Sequence, residues 1–369
     1  MKIKKVDIYK LNVGIKIPIN TPLGAIDKAE NVAIKITTDK GIIGWGEASP
    51  CPMITGDTQE SNYAIAQVMA RLIMGKNVLA IDSRMNEINS LTVGDSSVRS
   101  AFDMALYDIA AKAANMPLYQ FLGGERRQLR TDITIGLKDT VEETIAQAKS
   151  MLDVGFDAIK LKVGRSGLQD VAHVKAVREL VGSGVALKID SNQGWDYPTA
   201  VANIKAMKGL NLEYSEQPLA VWDYDGLARL RNQVDLPICA DESVFDHRDA
   251  LRLIKAGSAD YLNIKLGKSG GIHTGLKINA IAESARIKCM IGCFGESRLA
   301  LSAAVHLAMA KPNIYFIDLD SCYHFETDPV IGGMRYDDNI GGLINISDDI
   351  GHGAVFKENE LENRITIEM

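Results

Sequence analysis

Five residues at intervals of 24–28, Lys162, Asp190, Glu216, Asp241 and Lys265, carry the chemistry open to this chain. The first belongs to Ala158-Ile159-Lys160-Leu161-Lys162-Val163, which alternates with period two and reads as a short strand. Lys160 and Lys162 then share one face, and two ammonium groups in an apolar strand are costly unless something uses them. Each acid closes the next predicted strand. Adjacent strands lie about 4.8 Å apart, so the three carboxylates can converge. Their repulsion must be relieved by a proton or a cation. Three hard oxygen ligands suit Mg²⁺, with Mn²⁺ as a substitute, better than zinc. Any one acid alone reads as a helix cap or loop ion pair; three at matching depth between lysines do not. Lys162 and Lys265 flank the triad, the layout for removing a proton from one face of a carbon and returning one to the other. A base lysine must be neutral, so its pKa must fall from about 10.4; burial and the charges of the metal and Lys160 would push it down. The metal would bind a substrate carboxylate and stabilise the enediolate formed on loss of the α-proton.

The elements that must position these residues form two patterns. Residues 3–13, 31–38 and 41–47 read as strands, followed by helical patterns at 58–75, 80–92 and 96–114, an α+β block. Two polar Gly/Pro-rich stretches within it, Pro18–Lys28 and Ala48–Thr58, read as loops that could serve as lids. From about residue 130, strands and helices alternate. Strands are expected at Asp132–Ile135, Ala158–Val163, Ala186–Asp190, Leu212–Glu216, Pro237–Asp241, Tyr261–Leu266, Cys289–Gly292 and Ile314–Asp320. This recurrence is that of a (β/α)₈ barrel, whose active sites lie at the carboxyl ends of the strands. The tail from about 326 carries short strand-like runs that can return to the first block.

Composition narrows the class. The 369 residues are 46% hydrophobic and 24% charged, as in an ordinary soluble globular protein with room for more than one domain. A net charge of −6 argues against nucleic acid or an anionic membrane as partner. The basic start, Met1-Lys2-Ile3-Lys4-Lys5, runs into Asp7 and Lys10 without an apolar stretch, so no signal peptide is expected. No run approaches transmembrane length. The five cysteines lack zinc or redox spacing, which points to a reduced, cytoplasmic setting. The six histidines read as surface or helix residues.

The motifs Lys160-Leu161-Lys162, Asp190-Ser191-Asn192, Ser215-Glu216-Gln217-Pro218, Ala240-Asp241-Glu242-Ser243 and Lys265-Leu266-Gly267-Lys268-Ser269-Gly270-Gly271 together resemble the enolase superfamily, in its muconate-lactonizing-enzyme subgroup. The resemblance covers nearly the whole chain. It implies a modified TIM barrel, (β/α)₇β, at 126–325, an α+β capping domain at 1–125 with specificity loops 18–28 and 48–58, and a tail, 326–369, packing back on the cap. It implies Asp190, Glu216 and Asp241 as ligands of one Mg²⁺ per subunit, Lys162 and Lys265 as the acid/base pair, and Lys160 on the substrate carboxylate. Asp318-Leu319-Asp320 is similar to the pair that holds the N-terminal amine of the substrate in dipeptide epimerases, which invert the C-terminal residue. Two acids on one face want a cation, and no basic residue adjoins them in sequence. The resemblance also places Thr134 and Cys293 against substrate. A homo-oligomer is expected.

Side-chain preference should come from the two cap stretches. Pro18–Lys28 has no arginine and Ala48–Thr58 is largely apolar, so neutral or apolar side chains are expected over acidic ones. Asp57 leaves a cationic preference open. Two other readings stay open. One is a cycloisomerase or o-succinylbenzoate synthase acting on a carboxylate without an amine, which leaves Asp318 and Asp320 without a purpose. The other is a non-catalytic barrel that binds Mg²⁺ and ligand. A lysine-bound pyridoxal phosphate is disfavoured by a metal triad where a phosphate cup would be needed.

Overall fold

The computed structural model describes residues 1–369. Three antiparallel strands open the chain: β1 (Ile3–Thr21), β2 (Gly24–Thr38) and β3 (Ile43–Ala48). Helices α1 (Gln59–Ile73), α2 (Ile81–Leu91) and α3 (Ser96–Ala113) cover one face of this sheet, and a one-turn α4 (Leu118–Phe121) follows. Alternation along β1 and β2 aims Val6, Ile8, Val32, Ile34 and Ile36 at Met69, Phe102 and Leu106 of the helices. α3 lies directly on β3. A Cβ at Gly44 or Gly46 would overlap the carbonyl oxygens of Ala105 and Ala101, which is why glycines stand there.

A short β4 (Leu129–Arg130) leads into eight parallel strands: β5 (Ile133–Ile135), β6 (Ala158–Lys162), β7 (Ala186–Asp190), β8 (Leu212–Glu216), β9 (Ile238–Ala240), β10 (Tyr261–Lys265), β11 (Lys288–Gly292) and β12 (Ile314–Ile317). They neighbour one another in sequence order. The curled sheet closes through the Asp132 N–H, which donates to the Ile317 carbonyl at 3.3 Å. Between the strands run α5 (Val141–Asp153), α6 (Gln169–Val181), α7 (Tyr197–Ala206), α8 (Tyr224–Gln233), α9 (His247–Ala256), a one-turn α10 (Leu266–Ser269), α11 (Ile272–Ser284) and α12 (Arg298–Ala310). No α-helix follows β12, so the architecture is the modified barrel, (β/α)₇β, with an α+β cap. Strand-to-helix turns carry their own stops: Thr140 and Asp246 make capping boxes with Glu143 and Asp249.

The tail forms β13 (Val330–Gly332), β14 (Arg335–Tyr336), β15 (Leu343–Asn345), β16 (Ala354–Phe356) and β17 (Glu362–Glu368). β15 pairs with β4, and β17 pairs with β1, from Lys5 opposite Glu368 to Lys10 opposite Glu362. The cap sheet therefore has the order β17-β1-β2-β3. No helix is long and apolar enough to cross a membrane.

Two expectations need correction. Residues 18–28 are not a loop: β1 and β2 continue as a hairpin, with Ile19 opposite Ile26 and Thr21 opposite Gly24. Pro18, which has no N–H to donate, falls in the register shift between Gly14 and Ile19, where pairing is interrupted. The last barrel strand ends at Ile317, so Asp318 and Asp320 stand beyond it.

Candidate active site

The carboxyl ends of the strands bring the acids and lysines together. Lys162 is opposite Asp190 in the β6–β7 ladder, and Asp190 is opposite Glu216 in the β7–β8 ladder. Cys239 is the partner of Glu216 on β9, so Asp241 stands two residues higher, just past the strand. All three carboxylates are buried. β6 and β10 are four strands apart in a ring of eight, which puts Lys162 and Lys265 on opposite sides of the barrel.

Each acid is met by an ammonium. Lys162 Nζ donates to Asp190 Oδ2 at 2.6 Å and to Asn192 Oδ1 at 2.8 Å. Lys265 Nζ lies 2.9 Å from Asp241 Oδ2, and Lys268 donates to Asp241 Oδ1 at 2.6 Å. Lys160 sits at the centre, 3.9 Å from Asp190 and 3.7 Å from Glu216, and donates to Asp318. No three acids, histidines or cysteines stand close enough to form a ready-made ligand set. The donor chemistry nevertheless fits a hard divalent cation. Glu216 Oε1 accepts from Asn263 at 2.8 Å, while Oε2 is buried without a hydrogen-bond partner.

The electrostatics follow from this pairing. Burial pushes the Glu216 carboxyl well above the usual range, and the Asp190 charge adds to it. Burial acts the same way on Asp190, but Lys162 and Lys160 outweigh it and hold the group low. Asp241 is likewise raised by burial and then held below the ordinary range by Lys265 and Lys268. The expected fall in lysine pKa is not met at Lys265. Burial pushes it down, yet Asp241 and Glu216 hold it well above the usual lysine value. Phe294 lies with its ring 4.8 Å from Lys265 Nζ, which also favours the cation.

Above this floor is one cavity. Thr134, Lys160, Lys162, Lys265, Cys293, Asp318 and Asp320 all line it; Asp190, Glu216 and Asp241 do not, and lie beneath. Its roof is apolar: Ile15, Ile19, Leu23 and Ile26 come from the hairpin, Met53 and Ile54 from the stretch after β3. Asp320 Oδ2 accepts from the Thr134 backbone N–H at 2.7 Å, and Asp318 Oδ1 is buried without a partner. Thus the basic group absent from the sequence around Asp318 is supplied by Lys160. Cys293 lies 3.8 Å from Asp320 Oδ1, and burial, then the Asp320 and Asp318 charges, push its thiol well up, away from a nucleophilic thiolate. Asp57 does not reach the cavity; it is buried against Thr55 and Asn62.

Several contributors were not singled out in the sequence. Asn192 and Asn263 orient Lys162 and Glu216. Gln217 Oε1 accepts from the Asp241 and Ser243 N–H groups, fixing the end of β9. Gln217 has φ of 30° and Asn192 37°, left-handed backbone that non-glycine residues adopt at a cost. Asn263 was legible: it is two residues before Lys265 on β10 and so shares its face. Gln217 gave no such signal, because its partners come from the next strand.

Comparison with known proteins agrees with this geometry. The family model "Enolase C-terminal domain-like" matches residues 143–360, and "Mandelate racemase / muconate lactonizing enzyme, N-terminal domain" matches residues 4–123. The chain is 40% identical to a hydrophobic dipeptide epimerase of Enterococcus faecalis, over 90% of its own length and 94% of that protein. It is 39% identical to an L-Ala-D/L-Glu epimerase of Bacillus subtilis, over 96% and 97% of the two chains. The crystal structure of a dipeptide epimerase of Cytophaga hutchinsonii, complexed with Mg and D-Ala-L-Val, superposes with a TM-score of 0.97 at 36% identity, covering all of both chains. With both of its domains matched and the barrel's acids and lysines gathered at one mouth, the chain belongs to the mandelate racemase/muconate lactonizing enzyme group of the enolase superfamily.

Proposed function

We propose that this protein is a Mg²⁺-dependent dipeptide epimerase that inverts the α-carbon of the C-terminal residue. The observation that carries the reading is the opposed pair, Lys162 and Lys265, facing one cavity over a floor of three carboxylates. A carbon held between them has an amine on each side, so one lysine removes the α-proton and the other delivers one to the opposite face. Asp190, Glu216 and Asp241 would hold the cation. Bound there, Mg²⁺ would supply Lewis-acid stabilisation of the charge that develops on the substrate carboxylate. Lys160, central among the acids, meets that carboxylate from below. Asp318 and Asp320 take the N-terminal ammonium, for which the unpartnered Asp318 Oδ1 is a buried acceptor.

The cavity supports a preference for neutral or apolar side chains. Its only cations are the three barrel lysines, which leaves none to pair an acidic side chain, and the roof is built from isoleucine, leucine and methionine. Asp57, held elsewhere, offers nothing to a basic one. A second reading is favoured by the Lys160–Asp318 ion pair. It gives Asp318 a partner inside the protein and so allows a carboxylate substrate without an amine.

The test is a panel of dipeptides incubated with enzyme and Mg²⁺ in D₂O. One mass unit should be gained at the C-terminal α-carbon, with inversion, and chelation should abolish both. Lys162→Ala and Lys265→Ala should each cost on the order of 10³-fold or more in epimerisation, since each removes one of the two proton-transfer groups. Inversion by either variant at the wild-type rate, or uptake only by carboxylates lacking an amine, would defeat the reading.

A further inference from the structure

The cap reaches the catalytic lysine through a carboxylate that lies outside the cavity. Glu47, on β3, is 1% exposed, and neither of its oxygens faces solvent or substrate. Oε1 accepts from Asn31 Nδ2 at 2.7 Å and from the Ser297 N–H at 2.9 Å. Oε2 accepts from Ser297 Oγ at 2.6 Å and from the Ala300 N–H at 3.2 Å. Three of these four bonds are to the first turn of α12, whose N-cap is Ser297. A carboxylate suits that end of a helix, where free N–H groups and the helix dipole both favour negative charge.

The same cap residues grip the segment just before α12. Asn31 Nδ2 donates a second bond to the Gly295 carbonyl at 2.7 Å, and Ser49 Oγ accepts from the Gly295 N–H at 3.1 Å. Asn31, Glu47 and Ser49 are all buried, and five bonds from one edge of the cap fix residues 295–300. Phe294 is the next residue back. Its ring forms part of the cavity wall and faces the Lys265 ammonium. A ring that turns by a fraction of an ångström or a few degrees leaves that ammonium with a different rest position.

We propose that Glu47, with Asn31, is a positioning residue for Lys265, acting through the Gly295 backbone and the Phe294 ring. The cap is thereby a working part of the proton-transfer site as well as its roof. The inference rests on the two-lysine reading above. It has a consequence that general loosening does not share: only one face of the substrate carbon should be affected. Lys162, across the barrel, has its own partners in Asp190 and Asn192.

The experiment follows deuterium uptake and inversion separately, starting from each of the two diastereomers of one dipeptide, with Mg²⁺-loaded enzyme. Glu47→Gln keeps size but turns an NH₂ toward N–H donors. From the diastereomer whose proton faces Lys162, exchange without inversion should rise at least five-fold relative to inversion. From the other, uptake and inversion should fall together. Phe294→Leu, which leaves the cap untouched, should show the same asymmetry, and Phe294→Tyr, which keeps the ring, should leave the ratio near wild type. Should Glu47→Gln not fold, the two Phe294 variants still decide. Equal losses from both diastereomers, or an unchanged ratio, would overturn the positioning role. Absence of uptake by the wild-type enzyme would overturn the two-lysine reading itself, and this one with it.

Discussion

Asp318 offers a test of substrate class, because one of its carboxylate oxygens is paired and the other is not. Lys160 donates to Oδ2, while Oδ1 of this cavity-lining residue is buried without a hydrogen-bond partner. Asp318→Asn should therefore do two separable things. It removes one half of a buried ion pair, which costs about 3–5 kcal/mol in general. Here the low end is expected, since Lys160 keeps Asp190 and Glu216 within 3.9 Å. It should also lower kcat/KM on dipeptides by about 10²-fold or more, the effect of losing a charged contact to a buried ammonium. Steady-state rates on a dipeptide and on a matched N-acyl amino acid separate the effects. A fall confined to the dipeptide supports ammonium recognition, and equal falls assign Asp318 to Lys160 alone. The acids and lysines were legible because strand period and barrel repeat together place them. The Lys160–Asp318 pair was not, since 158 positions separate its members and only barrel closure makes them neighbours.

The roof of the cavity is decided by one hairpin and its contact with the stretch after β3. Gly24 closes the β1–β2 turn at φ 146°, a region that side chains rarely adopt, and a Cβ there would lie 2.8 Å from Met53 Sδ. Gly24→Ala should therefore strain the tip and push Met53 away, destabilising the tip locally by roughly 1–3 kcal/mol. Amide exchange at Ile19–Ile26 should quicken, and KM for apolar dipeptides should rise several-fold more than kcat falls. A larger loss in kcat than in KM would show that the tip acts on the chemistry rather than on side-chain binding. The same hairpin explains what the sequence concealed. Pro18 and Gly24 carry loop chemistry, but the isoleucines at 15, 17 and 19 keep strand period on either side of the proline. The register shift lets both be true. The barrel strands were legible to within a few residues because each is a short apolar run bounded by polar turns, repeated eight times.

Across the whole molecule, two neutral histidines lock the seams between cap, barrel and tail. His306 of α12 accepts from the Tyr119 N–H of α4 at 3.1 Å and stacks on its ring. His352 of the tail accepts from the Ala354 N–H at 3.2 Å through Nδ1, so its Nε2 carries the proton donated to the Trp45 carbonyl at 2.9 Å. The pattern predicts histidines on the surface or on helices; His352 is in neither place, because only the return of the tail buries it. In both rings Nδ1 faces a donor, and protonation would set donor against donor. Burial, then His352, depress His306 to about 3, and burial lowers His352 although Asp108 opposes it. A base with a depressed folded pKa contributes stability in full above its unfolded value near 6.5, and loses it as pH falls toward the folded value. The free energy of urea unfolding of the wild-type protein should therefore fall from about pH 6.5 toward pH 3, by a few kcal/mol in total for His306. His306→Gln, which keeps an acceptor for Tyr119 but cannot be protonated, should be less stable at pH 7 yet flatter across that window. A variant that follows the wild-type slope would assign the acid sensitivity to the carboxylates of the barrel instead, and leave the seam between α12 and α4 indifferent to protons.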